Sequence, residues 1–351
     1  MALTQRQYES ILDYATAQIQ ELVASGYDIN NDKDIQRLYM GIDKVYKQLN
    51  ETIVNHVPQS VYETYMKGLE GAEQALKDAG IAVSVEGVQQ LLSVAQSPIH
   101  LEAMANIVSD TLTDLQAATR TAQAYGHKEL DKALNDVRNE IANGYVSGAT
   151  TQQITKRVSQ KFGNYGMTSF ITSDGKHLPL DFYGKTVTRT KLQTADNHAH
   201  LNRYKEKNVK HVFVTGNIPT CHECAPYRNT VFATERGDEF PYVDLHTTFP
   251  KHPNCQCNFR PWIKAFKSDE EVQKEKEKAS SFNPDEDVRS ENERQKYERK
   301  QRLQAKARRK QHTYNKLKAH LGAQGPTSYE EFKRASPRQY HTWLARYKNL
   351  T

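Results

Sequence analysis

All four cysteines of this 351-residue chain fall between positions 221 and 257. They form the pattern Cys221-His222-Glu223-Cys224, an intervening stretch, and then His252-Pro253-Asn254-Cys255-Gln256-Cys257. Clustering of this kind needs a cause, and a metal ion supplies one. A Cys-x-x-Cys turn lets two thiolates grip one ion, and a second set of soft donors closes the coordination from a distant point of the chain. The spacing therefore predicts a structural zinc knuckle, with four ligands drawn from Cys221, Cys224, His252, Cys255 and Cys257. The first two are set by their spacing; the other two come from the remaining three, among which the sequence does not choose. His222 and His246 complete no usual ligand spacing.

Two rival readings of the cysteines are a pair of disulfides and a set of metal-free thiols. The opening MALTQRQYES lacks the basic-then-apolar pattern of a secretory signal, so a reducing cytosol is expected, which disfavours disulfides. A catalytic zinc would need an open coordination position and a nearby acid or base. Glu223 lies inside the knuckle, but with four or more protein donors the site reads as closed, and no catalytic residue is expected. His198 and His200 cannot chelate together from a helix, because positions i and i+2 face different sides. No Gly-rich phosphate loop, G-x-S-x-G elbow or HExxH stands in the sequence.

Outside the cluster the hydrophobic spacing is helical. Stripes run through Tyr8, Ile11, Leu12, Ala15, Ile19, Leu22 and Val23, then Ile35, Leu38, Ile42, Val45, Leu49 and Ile53. The second is expected to stop near Pro58, with Ser60 capping a third helix through Val61, Tyr65, Leu69 and Leu76. A long helix is predicted from Pro98 to about Gly144, and a short one from Thr150 to Phe162. Asp174-Gly175 between β-friendly flanks signals a hairpin. A helix over about 181–207 and a strand at His211–Val214 lead into the cysteines. The stretch 264–286 reads as a charged linker, followed by a basic helix over about 287–320 and two short helices begun by Ser328 and Ser336-Pro337.

The expected fold is mainly α with a small α+β zinc-knuckle module, an elongated helical N-terminal region and basic C-terminal helices. Its parts are a helical region 1–164, the α+β module 165–263, the linker 264–286 and the basic region 287–351. A mean hydropathy of −0.81 fits long helices with much solvated surface, and no apolar run is long enough for a membrane span. The net charge is +6. Much of it sits at Arg294, Lys296, Arg299, Lys300, Arg302, Lys306, Arg308, Arg309 and Lys310, against a lone Glu298. Such a face can dock on phosphate or on an acidic protein, or can be plain solvated helix. Aromatic interleaving is thin, so base stacking is not expected.

Taken together, Asp174-Gly175-Lys176, Tyr183, Val187, Arg189-Thr190, Asn197, Tyr204, the Cys221-x-x-Cys224-Ala-Pro block and His252-Pro-Asn-Cys255-Gln-Cys257 resemble the phage minor capsid proteins. The resemblance is to the phage minor capsid protein 2 group and to the Mu F-like or SPP1 head-morphogenesis proteins, and its specific part spans about 165–262. It implies a virion component associated with the portal, with capsid or scaffold partners, made in the host cytoplasm and packaged during head assembly. DNA delivery is also implied, with non-specific DNA contact through the 294–310 helix. Arg189 is expected to order the module through a buried or semi-buried ion pair, or else to be a plain surface residue. Two other classes stay open: a DNA-binding zinc protein of the particle interior, and a zinc-dependent effector enzyme ejected into the host.

Overall fold

The computed structural model describes residues 14, 15, 18, 19, 22, 32–81, 88–144, 169–171, 177–321 and 324–348. The described helices are α1 (Asp32–Asp78), α2 (Val88–Ala95), α3 (Pro98–Gly144), α4 (Leu180–Glu206), the single turn α5 (Leu245–Thr248), α6 (Asp269–Ser280), α7 (Glu291–Leu321), α8 (Tyr329–Arg334) and α9 (Pro337–Lys348). The strands are β1 (Ser169–Ile171), β2 (His177–Pro179), β3 (His211–Thr215), β4 (Val231–Ala233) and β5 (Asn258–Pro261). The chain is mainly helical with a small α+β part, as expected. Strands β1 and β2 pair antiparallel, flanking the Asp174-Gly175 turn signal. The helix expected at 150–162 and most of the first stripe lie outside the described residues; of that stripe, Ala15 and Ile19 are buried.

Pro58 does not end a helix. Helix α1 runs through it, because the apolar stripe keeps phase on both sides: Leu49, Ile53, Val57, Val61, Tyr65 and Leu69 are all buried. Proline removes one backbone hydrogen bond, and the continuous buried face outweighs that local loss. The helix stops where Gly80 takes a positive φ of 80°. The Ile81 amide then bonds the Leu76 carbonyl at 3.0 Å and the Gly80 amide bonds that of Lys77 at 3.0 Å, a Schellman closure. Helix α4 ends the same way: Asn208 takes a φ of 52°, and the Val209 amide reaches the Tyr204 carbonyl at 3.0 Å. That turn aims the chain into β3.

Two compact units make up the fold. One joins residues 54–114 to 186–300. Its sheet has the order β4-β3-β5, all antiparallel. Alternation along β3 sends Val212 and Val214 into a core with Ala72, Leu76, Leu201, Tyr204, Phe232 and Phe259. Phe213 points the other way, toward Val231, Trp262, Val272 and Ala279. Val272 and Ala279 belong to α6, so residues 264–286, expected as a linker, carry a helix that covers a sheet face. Its start is a capping box: the Ser268 hydroxyl accepts from the Glu271 amide, and the Glu271 carboxylate accepts from the Ser268 amide. The β5 edge is blunted against further pairing, since the Tyr204 hydroxyl donates to the Phe259 carbonyl at 3.2 Å and Pro261 has no N–H.

The same unit holds a buried polar network. Arg203 pairs with Glu73 of α1, both side chains under a tenth exposed, and donates to Glu206 at 2.8 Å. His100, fully buried, bonds Tyr65 at 2.8 Å and Glu206 at 3.2 Å. Asn202 donates to the Tyr65 hydroxyl at 2.9 Å, and its carbonyl oxygen lies 3.0 Å from His246 Nε2. The buried ion pair of α4 is made by Arg203, while Arg189 on the same helix is exposed, the surface alternative of its expectation.

The other unit joins residues 6–53, 115–185 and 301–351. Leu317, Leu321, Phe332 and Trp343 form its C-terminal core, flanked by Tyr314, Tyr329, Tyr340, Leu344 and Tyr347. Ser328 caps α8 through the Glu331 amide at 3.1 Å.

Candidate metal centre

The first limb of the site follows β3. The Cys221 carbonyl accepts from the Ala225 amide at 3.1 Å and the Cys224 carbonyl from the Arg228 amide at 3.1 Å, so residues 221–228 wind as consecutive tight turns. Asn229, with a φ of 59°, then returns the chain to β4 by bonding the Val214 carbonyl at 2.8 Å. The second limb follows α5. Phe249 anchors it in the core, and Asn254, with a φ of 60°, bends it so that the Cys255 amide meets the His252 carbonyl at 3.0 Å. Helix α4 backs this limb. The Asn254 amide donates to the Thr190 hydroxyl at 3.2 Å, and Gln193 donates to the Asn258 side-chain oxygen at 2.8 Å and to the Cys257 carbonyl at 3.4 Å.

The limbs bring all five sequence-predicted donors together. His252 Nε2 lies 3.0 Å from Cys221 Sγ and 3.3 Å from Cys224 Sγ, and Cys224 Sγ lies 3.7 Å from Cys255 Sγ. Two triads result, Cys221/Cys224/His252 and Cys224/Cys255/Cys257; within each, the donor atoms lie within 4.8 Å of one another. Cys224 belongs to both. The four cysteines are free thiols, and all but Cys221 are buried. The cluster could bind a metal ion. His222 and Glu223 pair at 3.8 Å on the outer side with much of their side chains exposed, while His246 packs edge-on to His198.

Crowding polarises the thiols. The hydrogen bond with Cys224 draws the Cys221 thiol down to about 4, aided by His252. Cys255 is drawn down to about 2, again chiefly by Cys224. Serving as donor to its neighbours pushes Cys224 the other way, and Cys257 is held up at about 12, where the lowering contact with Cys224 is outweighed by Cys255 and burial. His252 rises to about 9, first through Cys221. Anions this close are tolerable only beside protons or a cation, and a bound metal ion lets the coordinating thiols ionise together.

A family model for phage minor capsid protein 2 matches residues 24–333. The chain belongs to that family. Phage minor capsid protein 2 members are structural components of the virion, which places this protein among the parts of a phage particle. The match covers the Cys/His limbs together with α1, α3, α4 and all of α7, so the Cys/His cluster lies inside the matched region. No curated protein and no solved structure matches the chain. Among the described residues, no helix of this minor capsid protein is long and apolar enough to cross a membrane.

Sequence reasoning missed what holds the site in place. Thr190 and Gln193 carry no metal-site signal by type; only their contacts to Asn254, Cys257 and Asn258 reveal the role. Asn208, Asn229 and Asn254, each followed by a non-helical residue, are the readable cue for the three left-handed turns.

Proposed function

We propose that this minor capsid protein is a non-enzymatic part of the phage head whose Cys/His cluster is a structural zinc clip. The convergence of the other four donors on Cys224, which both triads share, carries the reading. Zinc with sulfur at about 2.3 Å sets tetrahedral S···S edges of about 3.8 Å, and the Cys224–Cys255 separation is 3.7 Å. A donor set of thiolates and one imidazole is the one zinc takes in closed structural sites. Bound there, the ion offsets the entropy of ordering two irregular limbs that share little regular structure. Its partners are the portal and capsid or scaffold proteins, met during assembly in the host cytoplasm.

Protein purified under reducing conditions is expected to carry about one zinc per chain by metal analysis. Cys221→Ser should lose the metal and lower the melting temperature of the chain. A fully folded protein whose melting is indifferent to a strong chelator would sink the proposal.

The basic helix supports a second contact. On α7, Arg294, Lys296, Arg299, Arg302, Lys306, Arg308 and Arg309 are exposed, a density of positive charge suited to packaged DNA and to its delivery. Binding to duplex DNA of mixed sequence is expected to weaken steeply with salt, without sequence preference. No binding even at low salt would remove this role and leave the protein contacts alone.

A further inference from the structure

Five donors surround four coordination positions, and the structure separates them. Because Cys224 is common to both triads, a four-donor set adds either one thiol to Cys221/Cys224/His252 or one donor to Cys224/Cys255/Cys257. His252 decides the first step. Its Nδ1 lies 2.9 Å from the Pro253 carbonyl, which can only accept, so Nδ1 keeps a proton and Nε2, facing Cys221 and Cys224, is the nitrogen that a metal ion would take in exchange for a proton. Fixing the outer nitrogen on a backbone carbonyl is the support that metal-binding histidines use. The triad containing His252 is therefore retained whole.

The fourth donor is then Cys255 or Cys257. Cys255 shares a tight turn with His252, its amide bonded to the His252 carbonyl at 3.0 Å, so His252-x-x-Cys255 repeats the spacing of Cys221-x-x-Cys224. Its sulfur stands one tetrahedral edge from Cys224. Cys257 is placed differently. It directly precedes β5, whose Asn258 is in register with Thr215, and its carbonyl is held by Gln193. Its sulfur packs against the backbone of Gly216, where an added Cβ would stand 3.3 Å away. Strand pairing on one side and α4 on the other aim Cys257 at Gly216, whereas the turn shared with His252 holds the Cys255 sulfur beside Cys224.

Resting on the zinc reading above, we infer that Cys221, Cys224, His252 and Cys255 are the four metal donors and that Cys257 is a fifth thiol outside the coordination. The test is X-ray absorption at the zinc edge on the intact chain, together with cobalt(II) spectra of single variants. Wild type is expected to show three sulfurs and one nitrogen. Cys257→Ser should keep that count and bind cobalt no more than about 10–100-fold more weakly than wild type, the range of a change outside the coordination. Cys255→Ser should lose one thiolate-to-cobalt contribution; should it fail to fold, the Cys257→Ser spectrum decides alone. A sulfur lost in Cys257→Ser, or four sulfurs and no nitrogen in wild type, overturns the assignment while leaving the zinc clip standing. No metal in wild type overturns both.

Discussion

Thr190 shows how a residue outside the Cys/His cluster can shape it. Its hydroxyl receives the Asn254 amide, and Asn254 is the left-handed residue that brings Cys255 back toward His252. Thr190→Val keeps the shape and removes the acceptor, so zinc affinity is expected to fall by about 10–100-fold while Thr190→Ser restores it; competition with a chelating dye measures both. Equal affinities for all three proteins would deny Thr190 this part. Arg203 and Glu73 answer to a different term. Both are buried, so Arg203→Met alone strands a carboxylate and should destabilise by about 3–5 kcal/mol, while Arg203→Met with Glu73→Leu should lose much less. Urea denaturation of the four proteins closes that cycle. That Arg203 is the buried arginine and Arg189 the exposed one was not legible beforehand, because both are arginines on one helix and only packing tells their faces apart.

Elements follow their local chemistry where nothing distant competes. Pro98 opens α3, Ser328 caps α8 and Asp174-Gly175 sits between paired strands, all readable from residue type. Helix α6 was hidden: its sequence is dominated by charge, and only Val272 and Ala279 reach the core. Ser268→Ala removes its cap and should cost about 1 kcal/mol, read as lost amide protection in 269–280; unchanged protection would show that packing alone holds it. The α4–α5 junction carries a pH dependence. Burial lowers His198 and His100, and burial followed by the His198 charge lowers His246 to about 4. Each histidine binds a proton more readily unfolded than folded below the ordinary value near 6.5, so their contribution is full above that pH and drains as pH falls below it, for His246 down to about 4. NMR should find His246 neutral at pH 5.5 in the folded protein. Titration at the ordinary value would contradict it.

The whole molecule joins segments far apart in sequence. Ala72 and Leu76 of α1 complete the core that holds Cys224, Cys255 and Cys257, and Glu73, Tyr65 and His100 meet α4 in one polar network. A fragment of residues 186–300 should therefore fold poorly with zinc present and recover helix and metal affinity when 54–114 is supplied on the same chain. Circular dichroism with zinc titration measures both, and a fully folded 186–300 fragment would refute the dependence.

By itself the sequence determined which cysteines and histidine gather in one cluster, the helical character, the hairpin and the family, because residue chemistry, hydrophobic period and turn residues are local properties. Tertiary structure alone decided that α1 continues through Pro58, that α6 covers the sheet, that Arg203 rather than Arg189 is buried, and which donors stand within reach of Cys224. Those outcomes depend on contacts with partners distant in sequence, from 28 residues for His252 and Cys224 to 130 for Arg203 and Glu73, and a residue's neighbours in sequence carry no record of which partners arrive.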